Sequence, residues 1–232
     1  MKRIKILFLN FGIKNKGGRN FTGKITAPRK GDLVKKSYRF LDTKRNMYFL
    51  TGATILIPYL YDPNRSAHIS LILYPNGIIS YILAAEYIPS QKRVYNLSTR
   101  NYYKDNIGSS QFLKGIKNGS SIFNCELYPT KGSQILRGAG VSGIILKKLS
   151  QIDSRIIIKL KSGALRAFPS QSIASIGKSS NGDSFLIKKK KAGESRLQGI
   201  RPRTRPSAMN PVTILWVDVL KEVFIHKIGM AF

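Results

Sequence analysis

Acidic residues, histidine and cysteine are all scarce in this 232-residue chain, which holds 11 Asp plus Glu, two His and one Cys. The single cysteine, Cys125, excludes an intramolecular disulfide and any zinc cage built from thiolates. Phe123 and Leu127 alternate with it along an expected strand, so Cys125 reads as a small buried side chain. His68 and His226 stand far apart, and the three or four clustered ligands of a metal site are missing. Paired carboxylates and a nucleophile-elbow serine are missing as well, so neither an enzyme nor a protein-bound cofactor is expected. Apolar runs such as Ile144–Leu146 fall far below the roughly 20 residues needed to span a bilayer. No basic amphipathic helix or lipidation motif offers a membrane anchor. The first residues, Met1 to Asn10, resemble a secretory signal only superficially, because Lys5 and Asn10 break the apolar run and no cleavage site follows. The sequons at Asn20, Asn64, Asn96 and Asn118 then read as chance matches in an intracellular chain.

Base, by contrast, is abundant. Lys plus Arg number 40, giving a formal net charge of +29. Residues 1–40 carry twelve bases against Asp32, and residues 188–205 carry eight against Glu194. A folded domain with this charge repels itself unless a polyanion neutralises it. Nucleic acid is the polyanion this favours, because each phosphate contact releases condensed counterions. Hydrophobic residues at 42% are enough for real cores, so the chain is more than a disordered basic tail.

The pattern is mainly β. Residues 1–21 form a basic, Gly-marked arm with no sustained periodicity. Residues 22–95 read as a first small barrel: Ala53–Tyr61 is β-branched and aromatic, and His68–Tyr74 and Ile78–Ala84 flank the turn triplet Pro75-Asn76-Gly77. Residues 96–120 are a polar connection. Residues 121–187 read as a second barrel, with strands at Ile122–Leu127, Ile144–Leu149, Arg155–Leu160, Ala164–Phe168 and Ile173–Ile176 and a hairpin loop at Lys161-Ser162-Gly163. No helix longer than two turns is expected before residue 187, and no internal repeat is present. Residues 188–232 are a basic extension with an apolar end, in which Pro202, Pro206 and Pro211 keep the chain extended. Leu215–Ile225 is apolar enough for a short helix or a strand, and periodicity does not decide between them.

Gly138-Ala-Gly-Val-Ser-Gly143 matches a dinucleotide-binding loop in spelling only, since a strand follows it and Asp153 comes too soon. Its glycines are read as allowing close approach of another chain or RNA. Bases interleave with aromatics at Lys35-Lys36-Ser-Tyr38-Arg39-Phe40 and Arg100-Asn-Tyr102-Tyr103-Lys104. Such rings can stack on unpaired bases, although Phe40 is expected in the core.

Two segments carry a family resemblance. Tyr61-Asp-Pro-Asn-Arg-Ser-Ala-His-Ile-Ser-Leu-Ile-Leu-Tyr74 resembles the central motif of ribosomal protein two of the large subunit, the uL2 family. Ser207-Ala-Met-Asn-Pro-Val212 is similar to the start of its C-terminal signature. Weaker matches agree in order: Gly17-Gly-Arg-Asn20, Tyr81-Ile-Leu-Ala84, Ile176-Gly177 and Lys191-Ala-Gly193. The resemblance covers roughly residues 15–212. It implies an OB-fold barrel followed by an SH3-like barrel, with extended basic arms, in a structural constituent that binds large-subunit rRNA. In Asp62-Pro-Asn-Arg65 a proline-fixed turn can present Arg65 as a fork toward phosphate, and His68 can stack or pack at the next strand.

The residues expected to meet RNA are Lys14, Lys16, Arg19, Arg29, Lys30, Lys35, Lys36 and Arg39 near the start. Asn64, Arg65 and His68 follow in the central motif, and Arg137 in the second barrel. Beyond it come Lys188, Lys189, Lys190, Lys191, Arg196, Arg201, Arg203, Arg205, Met209 and Asn210. The expected partners are large-subunit rRNA and neighbouring ribosomal proteins, with no homo-oligomer and only rRNA-associated magnesium. The chain departs from the family after Val212. Thr213-Ile-Leu-Trp216 stands where a His-Pro-His-Gly-Gly-Gly stretch is expected, and the N-terminal arm is short. Leu215–Ile225 is therefore expected to pack on another protein, one candidate being a separately encoded segment of the family's C-terminus. The altered tail and abundant Ile, Lys, Asn and Tyr, whose codons are A+T-rich, point to a mitochondrial ribosome, a plastid-type one being the alternative. The rival function is a free-standing OB-fold RNA chaperone or single-strand binder.

Overall fold

The computed structural model describes residues 9–31, 34–45, 52–96, 107–149, 154–205, 208 and 210. The chain divides into two units: Met1–Gly12 with Ser37–Lys188, and Ile13–Lys36 with Lys189–Phe232.

The first unit is antiparallel β throughout its named strands. A ribbon pairs β1 (Asn10–Gly12) with β2 (Ser37–Arg39), Phe11 opposite Tyr38. Next come β3 (Ala53–Leu60), β4 (Ile69–Leu73), β5 (Ile79–Leu83) and β6 (Arg93–Val94), forming one sheet in the order β5-β4-β3-β6. The expected hairpin joins β4 to β5: Gly77 N–H donates to the Tyr74 carbonyl at 2.9 Å, with Gly77 at φ +83°. β3 slips register at Ile55/Ile57 and again at Ile57/Leu60. Bulges of this kind bend a strand and curl its sheet. Pro58, which has no N–H to offer the ladder, sits in that irregular stretch, and its carbonyl accepts from Ser70 Oγ at 2.6 Å. Ala53, Ile55, Ile72, Tyr74, Ile82 and Val94 form the core beneath.

A six-stranded sheet follows, built from β7 (Ser110–Phe112), β8 (Ser121–Phe123), β11 (Gly143–Lys148), β12 (Arg155–Lys159), β13 (Leu165–Pro169) and β14 (Ile173–Ile176) in the order β13-β12-β11-β8-β14-β7. A separate pair joins β9 (Cys125–Glu126) to β10 (Ser133–Ile135). Two expectations change here. The run 122–127 is divided by Asn124, at φ +51°, so its two ends join different sheets. The polar connection 96–120 contains β7, which pairs with β14 because Ser110 and Gln111 tuck inward despite their polarity. Lys161-Ser162-Gly163 closes the β12–β13 hairpin as expected, Leu160 N–H reaching the Ala164 carbonyl at 2.9 Å.

Cys125 is fully buried among Ile122, Ile145, Ile156, Ile158 and Phe168. Burial, and secondarily Glu126, pushes its thiol up to about 12. Because only the thiolate reacts well, a maleimide at about pH 8 should leave native Cys125 unlabelled and modify it only after denaturation. Rapid labelling of the native protein would mean that this core opens.

The two sheets meet inside this unit. Ser180 N–H donates to the Ala84 carbonyl at 3.0 Å, Glu86 N–H to Lys178 at 2.8 Å, and Asn181 Nδ2 to Ser66 at 2.6 Å. Gly140 makes the seam possible. It sits at φ +59°, and a Cβ there would lie 2.7 Å from Gly182 Cα. The close approach expected of the Gly138–Gly143 segment is thus to this chain's own backbone.

In the second unit the two basic arms are joined, whereas the sequence reading treats them as separate and extended. Gly31 N–H donates to the Gly199 carbonyl at 3.1 Å, Arg201 N–H to Arg29 at 2.8 Å, and Lys30 bridges Ile200. Gly18, at φ +73°, lets its carbonyl receive Thr26 and Ala27 N–H, where a Cβ would meet the Ala27 carbonyl at 2.3 Å. Asn20 Oδ1 accepts from Thr22 N at 3.0 Å and Lys24 N at 3.0 Å, tying the loop. A short helix, α1 (Ala192–Leu197), forms ahead of Pro202, where only an extended chain was expected. Its first turn is held by Glu194, whose carboxylate accepts Lys190 N–H at 3.2 Å.

Candidate nucleic-acid interface

The Asp62–Arg65 turn is organised by a buried carboxylate. Asp62 is 1% exposed. Its Oδ1 accepts Asn64 N at 3.2 Å and Asn64 Nδ2 at 3.3 Å, while its Oδ2 takes Arg65 Nε at 2.5 Å. Asn64 Nδ2 also donates to the Ser37 carbonyl at 2.7 Å, fixing the turn against β2. Arg65 is therefore gripped by Nε, the inner corner of the guanidinium. Its Nη1 and Nη2 have no hydrogen-bond partner among the described residues, and the side chain as a whole is 15% exposed.

A second guanidinium faces the same place. Arg137 follows β10, is half-buried, and donates from Nη1 to the Ser133 carbonyl at 3.3 Å. Arg65 and Arg137 line one narrow cleft with Leu41, Asp42, Thr43, Leu83 and Asn124. Burial holds the Arg137 pKa below its ordinary value, Arg65's like charge lowers it further, and Tyr38 partly offsets this. The like charges repel, the Asp62 carboxylate on Arg65 and the Asp42 carboxylate in the lining offset part of that repulsion, and the cleft is too tight to admit a water molecule, so a phosphate can meet the two guanidiniums only from outside it. The sequence reading names both arginines; the structure brings them together.

His68 sits half-buried at the start of β4, its ring edge-on to Tyr59 with centroids 6.1 Å apart. Its N–H donates to Ser180 Oγ at 3.0 Å. Desolvation lowers its pKa. Arg39 turns inward: it is 9% exposed, its Nη1 donates to the Tyr61 carbonyl, and its Cζ lies 6.0 Å from the Tyr81 ring centre. Alternation along β2 explains this correction, since Tyr38 and Arg39 must point to opposite faces. Arg39, expected to meet RNA, is thus turned into the fold by its own strand.

In the second unit Lys14, Lys16, Arg19, Arg29, Lys30 and Lys35 are exposed and Lys36 is half-buried. Lys189, Lys190, Lys191, Arg196, Arg201, Arg203, Arg205 and Asn210 are exposed too. The one acid among the described residues of this unit is Glu194, and the unit presents a strongly positive surface. Lys188, at the end of the first unit, is exposed. Met209, Tyr102, Tyr103 and Leu215–Ile225 lie outside the described residues.

Sequence reasoning misses two features. Phe40, expected in the core, is 52% exposed and makes edge-to-face contacts with Phe11 and Tyr38. Arg45, one base among many, is 2% exposed: its Nε donates to Asn96 Oδ1 at 2.7 Å, and Asn96 in turn donates to the Tyr74 hydroxyl at 2.8 Å. The first would be legible only by knowing that β1 pairs with β2. The second carries no sequence signal at all.

A curled antiparallel-β protein with two arginines lining one tight cleft, and a second unit whose described charged side chains are all basic save Glu194, has the make-up of a nucleic-acid-binding protein. Two family models match it: "Ribosomal Proteins L2, RNA binding N-terminal domain" over residues 9–96 and "Ribosomal Proteins L2, C-terminal domain" over 106–214. It is similar to the large ribosomal subunit protein uL2 of Helicobacter acinonychis, 38% identical over 202 residues, 86% of this chain and 70% of that one. The uL2 of Mycoplasma pneumoniae is 40% identical over 199 residues, covering 86% and 68%. The chain belongs to the uL2 family of large-ribosomal-subunit proteins.

Proposed function

We propose that this protein is a structural constituent of a large ribosomal subunit, anchored to rRNA through the Arg65–Arg137 pair and the basic second unit. The paired arginines carry the reading, because two converging guanidiniums with unfilled donors suit the phosphates of a folded RNA. The four-stranded curled sheet is read as the OB-fold barrel and the six-stranded one as the SH3-like barrel. The role is scaffolding, not catalysis. Composition rich in residues with A+T-rich codons supports a mitochondrial ribosome. Leu215–Ile225, with Trp216, Val219 and Phe224, is taken as a protein-docking end, suited to a separately encoded C-terminal family segment.

Sedimentation of a magnesium-containing lysate tests the assignment: the protein should co-migrate with large subunits, whereas a low-mass peak would favour the free RNA chaperone. The purified chain should also bind an rRNA transcript with a log–log salt slope of about −7, for roughly ten phosphate contacts. A slope shallower than about −3 would mean that most of the charge is not engaged.

A further inference from the structure

The β1–β2 ribbon carries three aromatic rings on one face. Phe11 pairs with Tyr38 across the ribbon, and Phe40 lies two residues beyond Tyr38, so alternation puts all three on the side opposite Arg39. Their exposures are 53%, 41% and 52%. Phe40 stands edge-on to both neighbours, at 82° to Phe11 with centroids 4.8 Å apart and at 85° to Tyr38 with centroids 5.3 Å apart. None of the rings is stacked parallel to another, and each keeps two-fifths or more of its surface exposed. Exposing this much aromatic area has a cost in water and is selected against unless something covers it.

The neighbourhood says what that is. Ser37, adjacent to Tyr38, holds Asn64 of the turn that presents Arg65, at 2.7 Å. Arg137 lies within Coulombic reach of the Tyr38 phenol. An apolar face beside two converging cations matches a nucleotide, which joins a flat base to a phosphate. It does not match a basic partner protein, which those arginines would repel.

We propose that Phe11, Tyr38 and Phe40 form a stacking platform for an unpaired RNA base whose phosphate is drawn to the outer side of the Arg65–Arg137 pair. The inference rests on the rRNA-binding reading above and adds a site to it. Stacking needs a ring face and is tolerant of which base is present, so recognition here is of an unstacked nucleotide and not of a sequence.

The test uses the full chain and two fluorescent probes: a single-stranded RNA dodecamer, and the same backbone with abasic riboses. Phe11→Ala/Phe40→Ala should weaken binding of the base-bearing dodecamer roughly 5- to 100-fold. It should leave the abasic probe and the salt slope unchanged, because the phosphate contacts persist. Phe11→Leu/Phe40→Leu, which keeps apolar bulk without a π face, should lose affinity likewise, and Phe11→Tyr/Phe40→Tyr should retain it. Equal loss on both probes would overturn the platform, since a disturbed ribbon would then explain it. Unchanged RNA affinity with reduced incorporation into subunits would overturn it in favour of a protein contact. If the wild-type chain binds neither probe in a salt-dependent way, the rRNA-binding reading itself fails, a result distinct from either of these.

Discussion

Replacing Glu126 by alanine is expected to destabilise the protein by about 3–5 kcal/mol, as much as truncating a large core side chain. Glu126 is 1% exposed. Its Oε1 accepts the Gly132 N–H at 3.0 Å and its Oε2 accepts the Ile173 N–H at 3.1 Å. One side chain thus satisfies two buried backbone donors on separate segments, the loop before β10 and the first residue of β14. Alanine leaves both donors orphaned and opens a void. An orphaned buried donor costs ~1–3 kcal/mol, and two add, with the cavity on top. Glu126→Gln should cost less, since the amide oxygen still satisfies one donor. For a chain of this size the alanine variant should melt roughly 6–20 °C lower by calorimetry. A shift under about 2 °C would mean that water or a rearranged loop replaces the carboxylate.

Glu126 also marks where sequence stops being informative. Among 11 acids it has no distinguishing neighbour, and its partners lie six and forty-seven residues away. Long strands were legible because each carries its own signal. Ala53–Leu60, Ile69–Leu73 and Ile79–Leu83 fall inside the β-branched runs, and Ile173–Ile176 matches residue for residue. Short ones were not. β1, β2 and β7 have three residues each, and exist because a partner distant in sequence completes their ladders. The site divides the same way. The Asp-Pro-Asn-Arg turn announces itself, since proline fixes φ and Asp and Asn bond their own backbone two residues on. What Asp62 does with Arg65 is less visible, because the carboxylate is wholly buried and holds the arginine by its inner nitrogen. That Arg39 turns inward and Phe40 outward follows from the parity of β2, and parity is fixed only once its partner is known.

Loss of the Arg65 side chain should weaken binding to an rRNA transcript far more than loss of Lys189, though each removes one positive charge. Arg65 is anchored by Nε to Asp62 and paired across the cleft with Arg137, so its outer donors are pre-positioned at little entropic cost. A charge-assisted contact of that kind is worth ~1.5–3 kcal/mol, or roughly 10- to 150-fold in affinity. Lys189 is exposed on a flexible stem in a run of four lysines, and its Nζ donates to Ser195 Oγ at 3.2 Å. Its neighbours can take over its phosphate, so Lys189→Ala should change affinity less than about threefold. Arg65→Lys should rescue only part of the loss, because an ammonium cannot bond Asp62 and present a fork to phosphate at once. The pair should be non-additive: removing Arg65 relieves the repulsion on Arg137, so Arg65→Ala/Arg137→Ala differs from the summed singles. Each lost phosphate contact should also flatten the log–log salt slope by about 0.7–0.9. Equal affinity of Arg65→Ala and Lys189→Ala would show that the cleft is only a by-product of folding, and that the basic second unit alone holds the RNA.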